Sequence, residues 1–265
     1  MRQRGLVVSF LKKSIALGLM LFASFLAMTQ GATFPRTIMP KNTTSVIKAG
    51  DTPEFTFYLP DKASSANFGL VKGNKSIWLN ELKTVCKASG KGLQYTVTGV
   101  FLNKGKLVFE VLPLYQTDGL IIKISGANLP DSLSIIWSYG AACGKPQAEC
   151  HDGLLPGDCA NNVFIVERNG VILYYPKGMN FSVFYTMFPV ETSARLSDAN
   201  KQSSPWEFYN SGHRTNAQAL TGMFPLKNGQ NYYCSFYKPA TNYDVDYYRL
   251  PAVFEETKAG KPQNH

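Results

Sequence analysis

From Thr43 onward the chain is a succession of short β-prone runs broken by turn residues, and no helical periodicity longer than two turns interrupts them. That pattern restricts the fold more than any composition figure. A parallel sheet needs a long crossover between paired strands, usually a helix, whereas antiparallel strands need only turns. Residues 55–59 (Phe-Thr-Phe-Tyr-Leu) sit between Pro53 and Pro60, and residues 70–71 and 77–79 flank the turn Lys72-Gly73-Asn74. Residues 93–100 alternate, with Tyr95 and Val97 on one face; residues 107–112, 120–124, 133–139 and 181–185 are further runs. Two Asn-Gly pairs lie between β-prone runs, which is the strongest local hairpin signal. Asn169-Gly170 is expected to join 163–166 to 171–175, and Asn228-Gly229 to join 223–226 to 232–237. About a dozen strands at short, regular spacing predict a mainly β fold, a large antiparallel two-sheet sandwich with few short helices. The helical expectations are peripheral: one turn opened by Ser204-Pro205, and a segment from Leu250-Pro251 to Lys258 that runs into Gly260.

The composition agrees. Aromatic residues make up 13% and charged residues only 17%, against ~25% charged in an average soluble domain. Surface helices normally carry Lys/Glu faces, so scarce charge with many aromatics favours strands. The formal charge of +9 is partly an export feature. Residues 1–31 have a positive start (Arg2, Arg4, Lys12, Lys13), an uncharged run from Ser14 to Met28, and small residues at a cleavage zone, the anatomy of a secretory signal. Its removal leaves 23 basic against 18 acidic residues, or +5. The remaining lysines form no dense stripe, the closest approach being Lys83, Lys87 and Lys91, so no nucleic-acid partner is expected. No later segment is long and apolar enough for a membrane span. The expected layout is a signal peptide at 1–31, a sandwich domain at 32–249, and a linker or C-terminal tail at 250–265.

Five cysteines follow the leader. Cys143, Cys150 and Cys159 share one Gly/Pro-containing loop with His151, at a spacing that fits no standard zinc module. An oxidising compartment permits a loop disulfide such as Cys143–Cys150, with zinc ligation and buried free thiols as alternatives; an odd count leaves at least one thiol unpaired in a monomer.

Catalytic motifs are sparse. No Ser lies in a Gly-x-Ser-x-Gly elbow, and the only histidines are His151, His213 and His265. Gly90-Lys91-Gly92 precedes a strand pattern, not a helix, so it is no phosphate loop, and no cofactor or metal is implied. Carboxylates remain, because glycoside hydrolysis needs only two of them, but Glu54, Asp118, Asp152, Asp158, Asp198, Glu207, Asp244 and Asp246 cannot be paired without geometry. No catalytic residue is assigned. Flat aromatic rings suit sugar faces; Trp78 and Trp137 lie in strand patterns and read as core. Trp206 sits instead in a polar stretch with Glu207, Tyr209 and His213, which together form the candidate carbohydrate-binding set, against a plain packing role. Asn42-Thr43-Thr44, Asn74-Lys75-Ser76 and Asn180-Phe181-Ser182 match the glycosylation acceptor pattern.

Several segments in order resemble a known family. They are Ala49-Gly50-Asp51-Thr52-Pro53-Glu54-Phe55, Trp137-Ser138-Tyr139-Gly140-Ala141-Ala142-Cys143-Gly144-Lys145, Cys159-Ala160-Asn161-Asn162, Leu196-Ser197-Asp198-Ala199 and residues 248–254. The series, spanning 42–256, is similar to an uncharacterised (domain of unknown function) family of secreted Bacteroides-type proteins. The resemblance implies a galactose-mutarotase-like β-supersandwich placed before a helical domain of six-hairpin glycosidase type, and glycan-related work outside the cytoplasm of a Gram-negative bacterium: periplasmic, cell-surface or secreted. The chain departs from that pattern in a shorter loop between Lys145 and Cys159, in the added Cys143 and Cys150, and in ending where the helical domain would begin, so no family catalytic residue carries over. The leading expectation is an exported, non-catalytic module that binds or presents carbohydrate or supports a helical glycosidase-like partner domain. A glycosidase using a carboxylate pair within the sandwich, and a truncated structural module without ligand, are the alternatives.

Overall fold

The computed structural model describes residues 34–39, 45–59, 61–177, 180–212, 214–239 and 246–261, with backbone only for 175–183. The leader, the Asn42 acceptor site, His213, Asp244 and His265 lie outside the described residues.

In chain order the strands are β1 (Arg36–Ile38), β2 (Val46–Ala49), β3 (Phe55–Leu59), β4 (Asp61–Lys72), β5 (Lys75–Trp78), β6 (Lys83–Ser89), β7 (Gly92–Thr98), β8 (Lys106–Pro113) and β9 (Gly119–Ala127). They continue with β10 (Leu133–Gly140), β11 (Val163–Glu167), β12 (Gly170–Lys177), β13 (Asn180–Met187), β14 (Ser193–Asp198), β15 (Gln218–Pro225) and β16 (Asn231–Tyr237). Two short helices follow β14 and β16: α1 (Pro205–Asn210) and α2 (Leu250–Ala259). The first sheet runs β1-β2-β3-β4-β10-β15-β14, with β5 also paired to β4; the second runs β11-β12-β13-β16-β9-β8-β7-β6. Every pairing is antiparallel. The two-sheet antiparallel sandwich read from the sequence is the observed fold.

Alternation builds the core. Phe55, Phe57, Phe68, Ile135, Trp137 and Tyr139 of the first sheet face Tyr95, Phe109, Ile122, Phe184 and Phe236 of the second in one buried cluster. Aromatic pairs stitch the two together: Phe57–Phe184 at 4.9 Å, Phe57–Phe236 at 5.4 Å and Phe68–Phe109 at 5.5 Å between ring centroids. Each such side chain contributes about 1.5–3 kcal/mol by leaving water. Trp137 stacks on Phe188 at 3.6 Å and stands opposite Gly222, where a Cβ would come within 2.2 Å of its indole. Trp78 and Trp137 are both buried, as read from their strand positions.

Both outer faces are partly covered. On the first sheet, α1 starts where the sequence places it: Ser204 caps it, its Oγ accepting from the Glu207 N–H at 3.2 Å, with Pro205 in the first turn. On the second sheet, Leu250, Val253, Phe254 and Thr257 form the buried stripe of α2, which packs on β8, β9 and β16. Gly260, at φ +70°, ends this helix in the left-handed conformation.

The two Asn-Gly signals are corrected in different ways. The β11–β12 hairpin exists, but Glu167 pairs with Gly170, so the two turn residues are Arg168 and Asn169. Asn228-Gly229 joins strands of different sheets, β15 and β16, and makes no hairpin. There the Asn228 side chain is spent on Leu129: its Oδ1 accepts from the Leu129 N–H at 2.7 Å and its Nδ2 donates to the Leu129 carbonyl at 3.0 Å.

Candidate functional site

The outer face of the second sheet carries a groove beside α2. Its floor comes from β12, β13 and the end of β16. Register puts Ile172 opposite Tyr185, and Tyr185 opposite Tyr237, so the three lie in one row on one face. The Tyr185 and Tyr237 rings stack at 5.9 Å with 22° between planes. Tyr237 is buried in the cluster formed with Leu112, Ile121, Tyr233, Leu250 and Phe254, against which Tyr185, Met187 and Tyr247 are half-buried.

Polar groups rim this floor on two sides. The β11–β12 turn supplies Glu167, Arg168 and Asn169; the segment leading into α2 supplies Asp246, Tyr247 and Arg249. The enclosed volume is about 490 Å³, within the ~300–1,000 Å³ of small-molecule sites. Arg168 holds φ at +55°, a conformation that costs a residue with a Cβ about 1–2 kcal/mol. The turn is clamped to the end of β13, because Asn169 Nδ2 donates to the Phe188 carbonyl at 2.7 Å and the Phe188 N–H donates to the Asn169 carbonyl at 3.0 Å. Asp246 is positioned by accepting from the Tyr248 N–H at 3.2 Å. Burial, chiefly, pushes the Tyr247 phenol well above its ordinary range, so it remains a neutral O–H. Chemically the groove offers a flat aromatic floor ringed by guanidinium, carboxylate, amide and phenol groups. A second cavity of about 440 Å³ between Met39, Lys91, Leu112, Leu114 and Tyr115 has far fewer polar groups.

Of the carbohydrate-binding set named from the sequence, Trp206, Glu207 and Tyr209 fall elsewhere, while Asp246, one of the candidate carboxylates, lies on the groove rim. Trp206, Glu207 and Tyr209 share α1 on the first sheet. Trp206 is half-buried against the cluster of Val71, Ile136 and Tyr209 and stacks on Tyr209 at 6.1 Å. Tyr209 is itself buried, its ring covered by the Arg195 guanidinium at 3.8 Å and its O–H donating to Ser193 Oγ at 3.1 Å. Glu207 accepts from Ser203 Oγ. His213, the fourth member, lies outside the described residues.

Five of the carboxylates considered as catalytic pairs are engaged structurally. Asp158 holds the fully buried ammonium of Lys62 at 2.8 Å. Asp152 accepts from Tyr58 O–H at 3.1 Å, from the Phe34 N–H at 3.2 Å and from Lys48. Asp118 accepts from Ser45, Asp198 from Thr215, and Glu54 from Thr52 and Asn80. Cys143 and Cys150 place their sulfurs 3.3 Å apart. Among the described residues no group of three or more His, Cys, Asp or Glu side chains converges as metal ligands. No described helix is long and apolar enough to cross a membrane.

Nothing in the sequence pointed to the groove, because its floor needs the register of three strands and its rim needs two segments about 80 residues apart. The nearest signal was the Asn169-Gly170 turn, which brings Arg168 to the rim.

Fold and groove together define an antiparallel two-sheet sandwich with an aromatic-floored site on one outer face. The chain belongs to the family described as Domain of unknown function (DUF4450), whose model matches residues 59–258. This agrees with the resemblance to an uncharacterised-domain family read from residues 42–256. No curated protein matches the chain. Among solved structures it is similar to a bacterial glucoamylase complexed with acarbose, at 10% identity and TM-score 0.52, over 87% of this chain and 38% of that one. It is also similar to the α-N-acetylgalactosaminidase NagBb from Bifidobacterium bifidum in complex with GalNAc, at 7% identity and TM-score 0.50, over 85% of this chain and 39% of that one. At these identities the likeness is one of fold, and the chain spans well under half the length of either.

Proposed function

We propose that this chain is an exported, non-catalytic β-sandwich module of a glycan-processing system, and that it binds carbohydrate in the groove of the second sheet. One observation carries the reading: the half-buried Tyr185 ring, backed by stacking on the buried Tyr237, lies at the groove floor between two polar rims. A pyranose presents C–H groups on its faces and hydroxyls at its edge, so its face lies on the ring while Arg168, Asn169, Asp246 and Arg249 exchange hydrogen bonds with the hydroxyls. The non-catalytic role is supported by the structural bonds that occupy Asp152, Asp158, Asp198 and Glu54. The glycan setting is supported by fold likeness to two glycoside-cleaving enzymes. In this reading the module presents glycan to, or supports, a helical glycosidase-like partner domain. Affinity electrophoresis of residues 32–265 in gels containing a panel of soluble polysaccharides tests it. Retardation by at least one polysaccharide is the expected result; unchanged mobility in every gel overturns it.

A further inference from the structure

The loop between β10 and β11 closes over the outer face of β3 and β4 and delivers three of its acceptor oxygens to one buried cation. Lys62, whose side chain is fully buried, donates from Nζ to the His151 carbonyl at 2.8 Å, the Gly153 carbonyl at 2.9 Å and Asp158 Oδ2 at 2.8 Å. All three acceptors follow Cys150 in the chain. The loop meets the same lysine again through backbone: the Cys143 N–H donates to the Lys62 carbonyl at 3.1 Å, and the Lys62 N–H donates to the Lys145 carbonyl at 3.0 Å. Asp152, also buried, ties the loop to Tyr58, Lys48 and the Phe34 N–H. If the loop lifted away, the ammonium would lose all three acceptors and return to water, so burial of Lys62 and closure of the loop go together.

We propose that Cys143 and Cys150 form a disulfide that clasps this loop shut over Lys62. Their sulfurs lie 3.3 Å apart, and turn hydrogen bonds hold the intervening backbone: Glu149 N–H to the Pro146 carbonyl at 2.9 Å and Cys150 N–H to the Gln147 carbonyl at 3.3 Å. Bond formation brings the sulfurs from 3.3 Å to about 2.05 Å. The alternative partners are less suited: Cys159 and Cys234 are buried at 0% exposure, and Cys86 lies on β6 of the other sheet. The oxidant is a disulfide, R–S–S–R, such as glutathione disulfide or an oxidised thiol–disulfide oxidoreductase. One cysteine thiolate attacks it, forming a mixed disulfide and releasing one R–S⁻; the second thiolate displaces the other R–S⁻. Two electrons pass from the cysteine pair to R–S–S–R, and the two cysteine protons end on two R–SH. Burial, then the neighbouring Cys143, push the Cys150 thiol up, so little of it is thiolate at neutral pH and its attack on the oxidant is slow.

Peptide mapping of the full chain tests the clasp. After incubation with glutathione disulfide, denaturation, alkylation and cleavage after glutamate and aspartate, which cuts at Glu149 between the two cysteines and at Asp152 and Asp158 between Cys150 and Cys159, the expected product is a Cys143–Cys150 cross-linked pair, about 2 Da lighter than the two thiol peptides. Cys86, Cys159 and Cys234 should be alkylated. Alkylation of both Cys143 and Cys150, or linkage of either to another cysteine, overturns the proposal. Reduction should lower Tm by roughly 5 °C and raise amide exchange over 151–158, whereas Cys143→Ser should not respond to reductant. Exchange over 151–158 that is unaffected by reduction would show that the bond, though formed, does not hold the loop.

Discussion

Tyr185 and Tyr237 stand directly opposite each other on β13 and β16, with rings 5.9 Å apart and 22° from parallel. One ring is anchored and the other is offered. Tyr237 is buried under the α2 cluster, and Tyr185 is half-buried beside it at the floor of the groove. The platform is therefore rigid because its lower half belongs to a packed core, which lets it bind without ordering a loose side chain.

Arg168 is the strained member of the rim. Glycine adopts φ near +55° without the Cβ penalty, at the cost of a more flexible unfolded chain. Arg168→Gly is expected to raise stability by about 0.5–1 kcal/mol, read as a higher midpoint in urea. The same variant should bind glycan several-fold more weakly, separating the rim's binding role from its folding role.

Trp206 behaves in the structure as a packing residue on the first sheet. Trp206→Ala removes an indole half-buried against Val71, Ile136 and Tyr209 and should cost about 1–2 kcal/mol, less than the 3–5 of a fully buried Trp. Thermal denaturation checks this. Glycan affinity should stay within about twofold of the parent, since the groove lies on the other sheet.

The Lys62–Asp158 pair should be among the most sensitive sites in the chain. Asp158→Asn leaves an ammonium in a fully buried position with only carbonyl and amide partners, and is expected to cost about 3–5 kcal/mol. Lys62→Met removes the charge as well, and should cost less than Asp158→Asn. Equilibrium unfolding of both variants decides the order.

Glu110 fastens α2 to the second sheet by accepting from Lys258 at 2.9 Å and Lys123 at 3.3 Å. Partial burial works against its charge, but the Lys258 hydrogen bond and the two ammonium charges outweigh it and hold the carboxyl below its usual range. A depressed folded-state pKa contributes stability that is fully present above the unfolded value of about 4.3 and is lost as pH falls through the folded one. Lys258, raised chiefly by the same hydrogen bond, contributes below its unfolded value and loses that contribution as pH rises through the folded one. Both groups are partly exposed to solvent, so Glu110→Gln should cost only about 0.2–1 kcal/mol at pH 7. The difference from the parent should begin to shrink as pH falls toward the unfolded value of about 4.3 and vanish once pH lies below the depressed folded one, measured by urea midpoints across pH.

Strands whose residues alternate against the core could be read directly from the sequence: residues 55–59, 107–112 and 133–139 fall within β3, β8 and β10. Strands without that alternation could not. β6 and β14 are sheet edges, exposed along most of their length, and their Lys-, Ser- and Arg-containing sequences carry no apolar period. The first half of β4, Asp-Lys-Ala-Ser-Ser-Ala, is small and polar, and the loop covers it with hydrogen-bonding groups such as Asp158 and the Gly153 carbonyl, which both accept from Lys62. Asn228-Gly229 looked like a hairpin because local turn chemistry does not record which sheet receives the next strand. The helix caps at Ser204 and Gly260 were readable for the opposite reason, since capping is local. The groove is the extreme non-local case: Tyr185 and Tyr237 become neighbours only through strand pairing.

The most direct test is a calorimetric titration of the polysaccharide that retards the chain, comparing the parent with Tyr185→Ala after confirming by circular dichroism that the variant is folded. Removing the half-buried ring that faces the groove should weaken binding at least tenfold, a loss of about 1.4 kcal/mol. Equal affinity in parent and variant would contradict carbohydrate binding in the groove.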